Sequence, residues 1–71
     1  LLAAIMAKQM MDRSMKATPA LISYLLARME RSFESVAAVV EALDRRSLSS
    51  RKRVGIPLAR DVLAELGFST S

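Results

Sequence analysis

Two arginines three residues apart, Arg28 and Arg31, stand where one apolar helical pattern stops and another begins, in the stretch "LLARMERSFESV" from Leu25 to Val36. A guanidinium is planar, forked and always charged, so at a corner between two helices it suits a phosphate oxygen or a carboxylate. By residue type alone the pair also reads as ordinary surface. A second cationic feature is the run Arg45, Arg46, Arg51, Lys52 and Arg53, five basic residues within nine positions. Such a cluster would release counterions on meeting nucleic acid. It lacks the interleaved aromatics that stack on single strands, and arginines in a last helical turn or a wet connector explain it equally well. Any DNA contact is therefore expected to be weak or indirect.

The chain has no Cys and no His, which removes disulfides, thiol nucleophiles, imidazole bases and ordinary zinc sites together. No catalytic residue and no metal ligand is expected. Glu30, Glu34, Glu41, Asp44, Asp61 and Glu65 fall at ordinary helix-surface spacing and read as solvated, not as a carboxylate pair for acid–base work. Glu30 and Glu34 read as a like-charge pair four apart, with Arg31 to offset it. Four of the five Met residues lie in the first fifteen positions, a set suited to core filling or to an adaptable docking surface. Met10 and Met11 are adjacent, so one helix face cannot bury both. A helix-turn-helix reader is disfavoured, because Glu34, Ser35, Ala38 and Glu41 would turn acidic or small side chains to the groove.

These residues are positioned by four predicted helices. Leu2, Ile5, Met6 and Met10 recur at helical spacing from Leu1 to about Met11. Thr18-Pro19 reads as a cap followed by proline at the first helical position, opening a helix with Ile22, Leu25, Leu26 and Met29 on its stripe that ends near Met29 to Arg31. Ser32 caps a third helix carrying Phe33, Val36, Val40, Leu43 and, more weakly, Ser47, until the hydrophilic Ser49-Ser-Arg-Lys-Arg53. Gly55-Ile-Pro57 opens a fourth with Ala59, Val62, Leu63 and Leu66, and Gly67 stops it. No window makes a convincing strand. The expected fold is an all-α, small four-helix bundle over residues 1–67, with 68–71 as a tail in which Phe68 still touches the bundle.

At 71 residues, 52% hydrophobic and 25% charged, the chain is globular in composition. It is short enough to hide only roughly 60% of its extended surface, so its stability should be thin. The formal charge of +4 favours anionic partners without naming one. The apolar runs are far shorter than the ~20 residues of a membrane span, and Leu1 opens no signal peptide. The N-terminus reads as a cut into a longer protein, and with its neighbour absent the chain is expected to expose apolar surface and self-associate.

The order of Arg28-Met-Glu-Arg31, Leu43-Asp-Arg45 followed by Ser47-Leu48, and Ile56-Pro57 leading into Ala59-Arg-Asp-Val-Leu63 resembles the C-terminal lid subdomain of DnaA-type AAA+ ATPases, most closely the short homologues of the Hda type. The resemblance covers about residues 1 to 66. It implies a helical lid that closes over ATP or ADP held by a preceding AAA+ base domain, in a cytoplasmic protein that regulates initiation of chromosomal DNA replication through the DnaA initiator and the sliding clamp. In that family the first turn of the third lid helix carries the sensor 2 arginine, which reaches the nucleotide phosphates. The slot falls on Glu34 here. Either Arg31, one turn earlier, makes the contact, with Arg28 the next candidate, or the contact is lost and the lid answers nucleotide differently. The phosphate-binding loop and the magnesium-binding Asp of an ATPase are absent from these residues, so this chain alone is expected to hydrolyse nothing, while a parent that is a weak or regulatory ATPase and one that does not hydrolyse ATP both stay open. The rival reading is a helical protein- or DNA-interaction module without nucleotide.

Overall fold

The starts of the second, third and fourth predicted helices each coincide with a local signal that satisfies a free backbone donor or presets the backbone. In a computed structural model that describes residues 1–51 and 53–68, the helices are α1 (Leu2–Asp12), α2 (Pro19–Arg28), α3 (Phe33–Ser50) and α4 (Ile56–Glu65). Lys52 of the basic run and the tail residues 69–71 lie outside the described residues. Thr18 accepts from the Leu21 N–H at 3.2 Å and Ser32 from the Ser35 N–H at 3.1 Å, so both predicted caps are in place. Pro19 and Pro57 occupy the first turns of α2 and α4, where a missing N–H costs nothing. Among the described residues there is no strand.

Two helix ends close in the same way. Past α4, the Gly67 N–H donates to the Ala64 carbonyl and the Phe68 N–H to the Leu63 carbonyl, with Gly67 at φ 86°. Past α1, the Ser14 N–H donates to Met11 and the Met15 N–H to Met10, with Ser14 at φ 60°. Both are left-handed helix stops in which the residue beyond the turn packs back on the core, Phe68 in one case and Met15 in the other. Gly67 adopts that conformation freely, whereas Ser14 and Arg51, at φ 55°, carry a side chain there at a cost of roughly 1 kcal/mol each.

The four helices form a square in which α1 packs on α2 and α3, and α4 packs on α2 and α3. The consecutive helices α2 and α3 lie on a diagonal and do not pack on each other. Their short linker crosses one end of the bundle, and Met29 within it is buried. Because each helix faces two neighbours, adjacent residues are buried together: Leu21 with Ile22, Val39 with Val40, Leu58 with Ala59 and Val62 with Leu63. The single stripes predicted for α2, α3 and α4 therefore omitted Leu21, Val39 and Leu58. Met10 is fully buried and Met11 is 69% exposed, as their adjacency requires.

The structure corrects the sequence reading at several points. Phe33, placed on the core seam, is 61% exposed, because it is the first residue of α3 and projects beyond the bundle that Val36 enters. Glu30 and Glu34 do not share a helix, since α2 ends at Arg28 and α3 starts at Phe33. Ser49 and Ser50 belong to α3, which leaves Arg45 and Arg46 inside that helix and away from its last turn. Both pair with Glu65 of α4, Arg46 at 2.6 Å and Arg45 at 3.6 Å, and Arg13 pairs with Asp44 at 3.1 Å. Asp44 and Glu65 are thus cross-helix partners instead of merely solvated carboxylates, each pair worth at most about 1 kcal/mol at this exposure.

Candidate functional site

The corner between α2 and α3 is built by two opposing signals, an apolar anchor and a polar cap. Met29 ends α2 in extended backbone, its N–H donating to the Leu25 carbonyl at 2.9 Å, and its buried side chain fixes where the linker crosses. Ser32 then caps α3 through the Ser35 N–H, and its hydroxyl also lies 3.0 Å from the Ser35 hydroxyl. Glu30 and Arg31 are held between these two points with exposed side chains.

The two arginines are in different situations. Arg28 lies back on its own helix, its guanidinium carbon 3.9 Å from the centre of the Tyr24 ring and its Nη1 donating to the Tyr24 carbonyl at 3.3 Å. That cation–π contact is worth about 0.5–1 kcal/mol at an exposed site. Tyr24 and Arg28 are four apart, so the pairing was open to view in the sequence. Arg31 is exposed, and no described carboxylate pairs with it. The structure places both residues at the same corner and records no contact between them. Glu34 is an exposed acid in the first turn of α3, where it complements the positive end of the helix dipole.

Arg28 and Arg31 against Glu30 and Glu34 leave the corner with no net side-chain charge. Its one guanidinium without a described partner is that of Arg31, since Arg28 is engaged by Tyr24 and the α3 first turn presents a carboxylate. Among the described residues there is no cluster of three potential metal ligands.

One family model, described as the Hda lid domain, matches the chain over residues 2–63. The chain belongs to this family. It is a lid subdomain of the DnaA-related AAA+ type, and the match takes in α1, α2, α3 and all of α4 but its last two residues. No curated protein and no solved structure matches the chain. No described helix of the lid is long and apolar enough to cross a membrane.

Sequence reasoning singled out Arg51 and Arg53 within the basic run but not the residues they meet. Ser14 and Lys16 of the α1–α2 loop meet Ser47, Arg51 and Arg53 across a cleft of about 560 Å³. These residues are more than thirty positions apart, and only the left-handed turns at Ser14 and Arg51 show where the chain bends to bring them together. Phe33 and Leu48, both exposed, sit at opposite ends of α3 and make no single apolar patch.

Proposed function

We propose that this lid closes over ATP or ADP held by a preceding AAA+ base domain, in an Hda-type protein that regulates initiation of chromosomal replication through the DnaA initiator. Arg31 makes the phosphate contact from the α2–α3 linker, in place of an arginine at position 34. Lid position then reports nucleotide state to the bound initiator, and the sliding clamp is engaged by a part of the parent outside these residues. The family match over residues 2–63 carries the reading. The exposed Arg31, with no described carboxylate partner, beside the buried Met29 anchor supports it, because the linker backbone is already ordered before the side chain meets a phosphate.

The test uses the lid joined to its base domain. Arg31→Ala should weaken ADP binding by about tenfold or more, the cost of one charge-assisted hydrogen bond. Arg28→Ala should weaken it less, since Arg28 must first leave Tyr24. Calorimetric titration showing the same ADP affinity for Arg31→Ala and the unaltered protein would remove Arg31 from the phosphate site.

A further inference from the structure

Three cations without a described carboxylate partner lie together in the cleft at the other end of the bundle. From Phe33 to Ser47 the α3 axis rises about 21 Å, so this cleft and the Arg28/Arg31 corner are separate sites. Lys16, Arg51 and Arg53 line it together with the hydroxyl residues Ser14 and Ser47, and no acidic residue does. The three cations are exposed, and no described carboxylate pairs with any of them. The contrast with the neighbouring cleft is instructive, for there Arg45 and Arg46 face Asp61 and Glu65 and their charge is cancelled. Helix dipoles do not settle the sign, because α1 and α3 end close to where α2 and α4 begin, and the positive and negative ends offset one another.

We propose that this cleft is a phosphate-binding site. A carboxylate offers two oxygens in one plane, which a single guanidinium fork satisfies. Here the donors stand on two walls, Ser14 and Lys16 on one, Ser47, Arg51 and Arg53 on the other. A tetrahedral phosphate presents oxygens in several directions, which suits donors arranged on more than one wall. Two further observations agree. Ser14 and Arg51 each hold a left-handed backbone that glycine would adopt without cost, so both lips of the cleft keep a donor side chain where conformational preference favours none. The walls carry no aromatic ring, which fits recognition of phosphate and not of a base. The phosphate is carried either on a nucleic-acid backbone or on a small diphosphate, and the proposal does not depend on the nucleotide reading of the other corner.

The test titrates the 71-residue chain into a labelled oligothymidylate at low salt, and separately into pyrophosphate followed by calorimetry, with pyrophosphate also added as a competitor of the oligonucleotide. Lys16→Gln and Arg53→Gln should each weaken whichever probe binds by about tenfold, and for single-stranded DNA each should lower the salt slope by about 0.7. Arg60→Gln, the same loss of charge at an exposed position of α4 outside the cleft, should change affinity by less than about threefold. Arg53→Lys should keep most of the binding, and unchanged thermal unfolding shows that the substituted loops still fold. An oligonucleotide held by the cleft residues and untouched by pyrophosphate identifies the backbone as the source. Displacement, or pyrophosphate binding alone, identifies a small phosphate. Binding of neither probe, or equal losses in Arg60→Gln and Arg53→Gln, overturns the proposal, the latter because it reduces the cleft to diffuse net charge.

Discussion

Glu34→Arg, made in the lid joined to its base domain, should tighten ADP binding by about tenfold or more, the gain from one new charge-assisted contact. Glu34 stands in the first turn of α3, exposed, one turn after Arg31. It contributes to the helix start through the dipole, a term of about 0.3–1 kcal/mol at a surface position. Against a polyphosphate the same carboxylate is repulsive. Replacing it by arginine gives up the dipole term, which lowers lid stability with or without ADP, while the lost repulsion and a donor worth about 1.5–3 kcal/mol on meeting a charged acceptor act on binding itself. Binding tightens by that much only if the first turn of α3 faces the nucleotide. Glu30→Arg makes the same change of charge in the linker and separates general attraction from a placed contact. If position 34 is special, Glu30→Arg gives a smaller, salt-sensitive gain. Equal gains at 30 and 34, or none at 34, would mean that this turn does not look at phosphate.

Leu43→Ala should come close to unfolding the isolated lid, while Leu48→Ala on the same helix should hardly be felt. Leu43 is fully buried and Leu48 is 72% exposed. Truncating a buried leucine costs about 2–5 kcal/mol through lost transfer energy and the cavity left behind. At about 0.05–0.15 kcal/mol per residue, a chain of 71 residues has a total stability of only about 4–11 kcal/mol. One substitution therefore removes a large share of what holds the bundle together. In thermal unfolding the midpoint should fall by roughly 10 °C or more for Leu43→Ala. For Leu48→Ala the change should stay within about 0.5 kcal/mol, as for other surface positions. Similar shifts for the two leucines would contradict the square packing in which α3 meets both α1 and α4.

The elements were legible because their boundaries are local. Thr18-Pro19, Ser32, Gly55-Ile-Pro57 and Gly67 each act on backbone groups within a turn of themselves, and each acts where the sequence reading put it. What escaped that reading depends on neighbours far along the chain. Periodicity shows that a helix has an apolar face, but not that two partners widen it, so Leu21, Val39 and Leu58 went unnoticed beside Ile22, Val40 and Ala59. Periodicity also assigned Phe33 to a face without knowing that the bundle stops short of it. The basic run looked uniform in sequence and is divided in space: Glu65 neutralises Arg45 and Arg46, and Arg51 and Arg53 turn to Lys16. At the α2–α3 corner, Arg28 and Arg31 were legible as a pair by position, but the hold of Tyr24 on Arg28 separates their roles.

The division of labour at that corner is the point on which the proposed nucleotide response turns. The most direct measurement is a crystal structure of the lid with its base domain and ADP bound. An Arg31 guanidinium nitrogen is expected at about 2.7–2.9 Å from a phosphate oxygen, the distance of a charge-assisted hydrogen bond, with Arg28 still over Tyr24. Arg31 in open solvent, with the phosphates held by other residues, would contradict that expectation.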